Sequence, residues 1–174
     1  MSATGMSVTG TGAGEVAGAA YTRTLDFDQV SVGDDLPELI IPLTRTLIVS
    51  TALASRDFQD VHHDPVLAVE RGSKDIFMNI LSTNGLVGRY VTDWSGPAAV
   101  LTDVKIRLGA PNHPDDTMTM SGSVTAKDDQ VGPDGRGGVE VTIRGANSLG
   151  DHVTGTVRLT LPSGSAGSPH GSAR

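Results

Sequence analysis

The spacing of apolar residues changes along the chain and separates a helical part from a part made of strands. Over residues 76–94 the apolar positions fall on one broad helical stripe, which predicts a single long helix. After Gly96 and Pro97 the period falls to two, with apolar residues alternating with polar ones. This alternation predicts four strands with one buried face, around residues 104–108, 118–120, 139–143 and 157–161.

Shorter elements precede the long helix. Residues 39–49 are rich in Leu and β-branched residues but include Pro42, which favours an entry or edge segment over a central strand. Ser50 or Thr51 can cap a short helix that runs to about residue 58. Asp64 followed by Pro65 predicts the start of a second short helix, which Gly72 would end.

Turn sequences at 111–115, 132–135 and 148–151 join the predicted strands, and they favour antiparallel hairpins over parallel crossovers. The sequence therefore predicts an α+β domain at residues 22–162, with one long helix and a meander of strands that curls around it. Residues 1–21 and 163–174 are small, polar and rich in glycine, and both are expected to be disordered tails.

Composition narrows the classes of function. The chain has 174 residues and no cysteine, which excludes disulfides, thiolate catalysis and cysteine-ligated metals. A formal net charge of -7 argues against a nucleic-acid partner, because phosphate backbones are bound by basic surfaces. Neither a signal peptide nor a membrane span is recognisable, so no membrane association and a cytoplasmic location are expected.

The densest polar cluster lies at residues 57–64, which hold three carboxylates and two of the five histidines. Asp57 ends the first short helix and His62 follows an irregular turn, so the two can face each other across a gap that holds a water. A carboxylate base and an imidazole acid suit the addition of water to a polarised double bond. The alternative is that Asp57 only solvates a turn.

Other polar residues have simpler interpretations. Asp64 is predicted as an N-cap and Asp60 as an exposed turn residue. His63 beside Asp64 could be part of a metal site of the phosphohydrolase type, but that class is helical and the second half of this chain is predicted as strands, so no metal is expected. The remaining three histidines are predicted to lie at the surface or in a tail: His113, His152 and His170.

The block from Ser55 to Pro65, SRDFQDVHHDP, resembles the signature S-x-D-x-N-P-x-H-x-D of the MaoC-like (R)-specific enoyl-CoA hydratases. The resemblance implies the hot-dog fold, in which an antiparallel sheet wraps around a long helix. It also implies that Asp57 and His62 are the catalytic Asp and His. Gln59 and Asp60 stand where the family has Asn and Pro, which alters the turn between the catalytic pair.

The family also has a His-Gly-Met sequence at the start of the long helix, whose Gly backbone N–H binds the thioester oxygen. Met78, Asn79 and Ile80 occupy these positions here, so the resemblance assigns that catalytic N–H to Asn79. A backbone donor does not depend on the side chain. Asn84 and Gly85 are candidate substrate-binding positions, with Asn84 equally able to be a satisfied core residue, and Gly85 suggests close packing against another surface.

Longer runs, including TLIVSTALASRDFQDVHHD and GLVGRYVTDW, resemble the small subunits of actinobacterial steroid enoyl-CoA hydratases over about residues 26–161. This resemblance implies hydration of a steroid side-chain enoyl-CoA in sterol breakdown, with a second, larger hot-dog subunit as partner. CoA would be part of the substrate, and no separate cofactor is implied. The alternatives are a hot-dog acyl-CoA thioesterase, an (R)-specific hydratase of fatty acyl chains, and a non-catalytic binding subunit.

Overall fold

The computed structural model describes residues 23–164. Two single-turn 3₁₀ segments, Phe27–Gln29 and Asp60–His62, accompany three helices and five strands in this part of the chain. In chain order these elements are β1 (Asp35–Leu43), α1 (Arg45–Ala54), α2 (Pro65–Glu70), α3 (Ile80–Ser95), β2 (Val100–Leu108), β3 (Asp116–Lys127), β4 (Arg136–Asn147) and β5 (Gly150–Pro162).

The five strands form one sheet in the order β1-β3-β4-β5-β2, and every neighbouring pair is antiparallel. The four strands predicted from the alternation are all present. The segment with Pro42 continues as β1, which pairs only with β3 at one edge, so the edge prediction is confirmed. The predicted meander is wrong at one connection, because β2 lies at the opposite edge beside β5 and the 111–115 turn crosses over to β3.

Helix α3 packs one face against the sheet through Leu86, Val87, Tyr90 and Val91. The confirmed α+β architecture thus has its core between the long helix and the inward-facing residues of the strands. The core of the sheet includes Leu36, Ile41, Leu43, Met118, Met120, Val124, Val139, Val141, Ile143, Val153, Val157, Leu159 and Leu161.

The outer face of α3 is open in this chain. A Cβ at Gly85 would meet no atom within 4 Å, and one at Gly88 would meet only the Leu101 side chain, at 3.8 Å. The expectation that Gly85 permits close packing against another surface is therefore wrong within residues 23–164, because Gly85 is exposed and has open space beside it. Ile80 and Leu81 on the same helix are each 52% exposed.

Helix boundaries differ from the predictions where caps decide them. Helix α1 begins at Arg45 rather than near Ser50, because the Thr44 hydroxyl accepts the Leu47 N–H at 3.0 Å. Helix α3 begins at Ile80 rather than at residue 76, because Asn79 is its N-cap. Helix α2 begins as predicted, with Asp64 as its N-cap and Pro65 in its first turn.

Hydrogen bonds join the two ends of the described chain. Ser163 is buried and its hydroxyl donates to Asp28 at 2.8 Å, and the Gly164 N–H donates to Asp26 at 2.7 Å. The domain therefore continues past residue 162, and the first two residues of the predicted C-terminal tail are ordered. The rest of both predicted tails, residues 1–22 and 165–174, lies outside the described residues. Within residues 23–164, no helix has the length and apolar character needed to cross a membrane.

Candidate active site

Asp57 is placed by the way helix α1 ends. The Asp57 N–H donates to the Ala52 carbonyl and the Arg56 N–H to the Leu53 carbonyl, both at 3.0 Å, which is the Schellman pattern of helix termination. Arg56 takes the left-handed position that this motif requires, with φ 57°, where glycine is usual. This geometry costs a non-glycine residue roughly 1 to 2 kcal/mol. The sequence has no glycine to mark the stop, so the predicted helix was too long at its C-terminal end.

His62 is held by the segment that leads into α3. Its Nδ1 lies 2.8 Å from the Phe77 carbonyl oxygen, and the Phe77 N–H donates to the Val61 carbonyl at 3.0 Å. The His62 and Phe77 rings also make an edge contact, with centroids 5.0 Å apart. Because a carbonyl only accepts, Nδ1 carries the proton, and Nε2 is left as an acceptor in the neutral ring.

Asp57 and His62 face each other as the sequence predicts, but the predicted gap for a water between them is wrong, because the two side chains are nearly in contact. The Asp57 Oδ2 and His62 Nε2 atoms are 3.4 Å apart, and the two side chains are 19% and 8% exposed. The hydrogen bond from the Asn79 side chain is the main cause that lowers the pKa of Asp57, and burial opposes it; the Gln59 N–H lowers this pKa further, as does the positive charge of His62 when its ring is protonated. Asp57 is thus held as a carboxylate beside the acceptor nitrogen of His62.

Asn79 contributes in two ways, only one of which was expected. Its backbone N–H makes no hydrogen bond within residues 23–164, whereas the preceding N–H, that of Met78, donates to the Asn112 carbonyl at 3.0 Å. A free N–H at the start of a helix is a donor for a developing oxyanion. The side chain, which the sequence did not implicate, donates to Asp57 Oδ2 at 3.0 Å.

These groups line one cavity of about 350 Å³. That volume is at the low end of ligand-binding sites. Asn84 and Gly85 lie outside this cavity: Asn84 lines a neighbouring groove with Ile80 and Leu81, and Gly85 is exposed. The cavity is lined by Asp57, Gln59, His62, Phe77, Met78, Asn79, Ile80, Leu108, Gly109, Ala110, Pro111 and His152.

Two histidines predicted at the surface are buried instead. His113 is 8% exposed, with Nδ1 2.9 Å from the Ile76 carbonyl oxygen. His152 is 2% exposed, with Nδ1 2.7 Å from the Ala110 oxygen and Nε2 2.8 Å from the Thr83 hydroxyl. The prediction failed because all three contacts join residues far apart in sequence. His170 lies outside the described residues.

We expect His152 to make stability depend on pH. Burial lowers the pKa of His152 against the smaller opposing effect of its bond to Ala110, so the unfolded chain binds a proton that the folded chain does not. Neutral, buried His152 therefore contributes fully to the free energy of unfolding above about pH 6.5, the pKa of histidine in the unfolded chain. This contribution is lost progressively as the pH falls below that value. In urea unfolding across this pH range, His152→Gln should show a flatter acid-side slope than the wild type, and an equal slope would contradict the assignment.

No group of three or more His, Asp or Glu side chains is arranged to hold a metal ion in the described part of the chain. The side chains of Asp60 and Asp64, next to Asp57 and His62 in sequence, have local partners. Asp60 forms an ion pair with Arg71, and Asp64 accepts the N–H groups of Val66 and Leu67 at 2.9 and 3.1 Å.

Comparison with known proteins shows the family of this chain. No family model matches the sequence. The chain is 55% identical over 130 residues to the 3-oxo-4,17-pregnadiene-20-carboxyl-CoA hydratase beta subunit of Mycobacterium tuberculosis, which covers 75% of this chain and 95% of that protein. The chain belongs to this hydratase family.

Solved structures agree with the membership in this hydratase family. The structure of the ChsH1-ChsH2 complex from Mycobacterium tuberculosis contains a chain with 55% identity and a TM-score of 0.70, covering 75% of this chain and 98% of that one. The (R)-hydratase from A. caviae involved in PHA biosynthesis has 20% identity and a TM-score of 0.69, covering 77% and 98%. The MaoC-like dehydratase from Rhodospirillum rubrum has 18% identity and a TM-score of 0.67, covering 80% and 97%. These last two share the fold, and the predicted hot-dog architecture is confirmed.

Proposed function

We propose that this chain is the catalytic subunit of a heteromeric enoyl-CoA hydratase that adds water to the α,β double bond of a steroid side-chain enoyl-CoA. The observation that carries the proposal is the Asp57–His62 pair, 3.4 Å apart in a cavity that Asn79 also lines, and the Asn79 backbone N–H makes no hydrogen bond within residues 23–164. The substrate class rests on the identity of 55% to the mycobacterial hydratase subunit.

The two acceptors define how a water would be held. Asp57 is a carboxylate and the Nε2 atom of neutral His62 has a lone pair, so a water beside both donates one hydrogen to each. Its oxygen lone pair is then free to point at Cβ of the substrate. The general base removes a proton while the C–O bond forms, a contribution typically worth about 10²- to 10⁴-fold in rate.

Negative charge develops on the thioester oxygen during the addition. As oxygen adds at Cβ, the π electrons shift towards Cα and the thioester oxygen, which becomes an enolate oxyanion. The Asn79 N–H would stabilise this oxygen, and no cofactor takes part. The Asp57–His62 pair then returns the proton to Cα, so that one water has been added across the double bond and the thioester stays intact.

The site is incomplete at one side, where we place the second hot-dog subunit. Ile80 and Leu81 of α3 and Val104 and Ile106 of β2 line an open groove next to the catalytic cavity. Strand β2 is an edge strand, so its outer backbone groups can pair with another chain. A chain with 55% identity was solved in the ChsH1-ChsH2 complex, which supports a partner subunit, and the open groove and the edge strand support its position on this face.

We expect Leu81→Asp to prevent assembly. Leu81 is 52% exposed on the proposed interface, and burying a carboxylate there without a partner charge is unfavourable. The dissociation constant of the complex should rise by at least about 30-fold, the effect of losing an interface hot spot. Val32→Asp is the matched control, since Val32 is 61% exposed and lies before β1, away from this groove. Unchanged co-elution of Leu81→Asp with the co-expressed subunit would place the interface elsewhere.

The proposal is tested by following the absorbance of the enoyl thioester with the co-expressed complex. A steroid side-chain enoyl-CoA and a straight-chain enoyl-CoA are compared, and we expect the steroid substrate to have the higher kcat/KM. Faster hydration of the straight chain would assign the enzyme to fatty acyl chains. We also place the enzyme in the cytoplasm, which contains CoA thioesters, and cell fractionation tests that location.

A further inference from the structure

The carboxamide of Asn79 is buried, and each of its polar atoms has a partner. Asn79 is 2% exposed. Its Nδ2 donates to Asp57 Oδ2 at 3.0 Å and to the Ser55 hydroxyl at 2.9 Å. Its Oδ1 accepts the Ser82 N–H at 2.9 Å and also the Ser82 hydroxyl. One side chain thus joins the end of α1, the catalytic carboxylate and the first turn of α3.

The chemistry of the partners allows only one orientation of this amide. The Ser82 N–H can only donate, so the atom that faces it must be the oxygen. The NH₂ group must then face Asp57, which as a carboxylate can only accept. Ser55 can accept from Asn79 because its own hydroxyl donates to the Thr51 and Ala52 carbonyls, at 2.8 and 3.0 Å.

We propose that the Asn79 side chain, with its orientation fixed by Ser55 and Ser82, is a positioning residue that aims the Asp57 carboxylate at the catalytic water. This inference rests on the proposed function, in which the Asn79 N–H binds the thioester oxygen, and it gives Asn79 a second role. Because Oδ2 is tied to Asn79 and lies against His62, rotation of the carboxylate is restricted. The base and the oxyanion donor therefore keep a fixed separation set by one residue.

A purely structural role makes a different prediction. Asn79 is the N-cap of α3, and Asp is as good an N-cap as Asn. Asn79→Asp therefore keeps the shape and the cap but turns an oxygen, in place of NH₂, towards Asp57. Two adjacent carboxylates cannot both ionise at their usual pH, so the change raises the pKa that the Asn79 hydrogen bond normally lowers.

The experiment measures the pH dependence of kcat for the assembled complex with steroid side-chain enoyl-CoA. We expect Asn79→Asp to move the acid limb of the profile to higher pH and to lower kcat at neutral pH at least tenfold, with KM within about twofold. Gln130→Glu makes the same amide-to-carboxylate change in the exposed β3–β4 turn. This control should leave the acid limb of the profile and kcat unchanged.

Two further variants keep the inference testable if Asn79→Asp does not fold. Asn79→Ser retains a cap oxygen but is too short to reach Asp57, and it should also move the acid limb upward. Ser82→Ala removes one of the two donors to Oδ1, and we expect a smaller shift in the same direction. The positioning role would be overturned if the wild-type complex hydrates the substrate and both Asn79 variants have the wild-type pH profile. Failure of the wild type to hydrate would overturn the proposed function instead.

Discussion

Asp57→Asn should lower kcat by about 10²- to 10⁴-fold, the typical contribution of a general base. The substitution keeps the size of the side chain but removes the charge that accepts the water proton. Because the proposed mechanism binds the thioester oxygen through the Asn79 N–H rather than through Asp57, KM should change by less than about threefold. Steady-state kinetics of the assembled complex measure both constants.

The adjacent carboxylate provides the control for Asp57. Asp60 lies three residues further along the same turn and pairs with Arg71 outside the catalytic cavity. Asp60→Asn removes the same charge and a surface ion pair worth at most about 1 kcal/mol, so it should leave kcat within about twofold. If Asp57→Asn were as active as Asp60→Asn, a base role for Asp57 would be untenable.

His62→Gln should lower kcat by about 10²- to 10³-fold, the second largest effect we expect. In the proposed mechanism Nε2 of His62 accepts the second hydrogen of the water, and the Phe77 carbonyl fixes the tautomer that makes Nε2 an acceptor. A glutamine can reach the carbonyl or the water but not both in this geometry. The water would then be misaligned, and proton return to Cα would lose its second group.

His63 allows a matched comparison, since it is the next residue and does not line the cavity. His63→Gln should keep kcat within about twofold of the wild type when measured in the same complex. Equal losses in both histidine variants would indicate a general disturbance of the turn rather than a catalytic role for His62.

Much of this arrangement is readable from local sequence. The period-two strands, the cap at Asp64, and the edge position of Pro42 depend on neighbouring residues or on one side chain, and the structure has all three. The sequence also predicted that Asp57 and His62 face each other, because they lie five positions apart across one irregular turn. The local spacing and the family signature both point to this pair.

The contacts missed by the sequence analysis are long-range. The Asn79 side chain meets Asp57 across 22 positions, and Thr83 meets His152 across 69. A polar residue such as His152 is predicted to lie at the surface unless its hydrogen-bond partner in the fold is known. The β2–β3 crossover was missed for a related reason, since a turn sequence fixes a local bend but not which strand pairs next.

The most direct test of the account is the fate of water oxygen during turnover. The wild-type complex is supplied with steroid side-chain enoyl-CoA in water labelled with heavy oxygen, and the product is examined by mass spectrometry. We predict one labelled hydroxyl at Cβ and an intact CoA thioester, with at least about 100-fold less labelled product formed by the Asp57→Asn complex in the same time. Label in a free carboxylate together with released CoA would show thioester hydrolysis and contradict the assignment of this chain as the catalytic subunit of a hydratase.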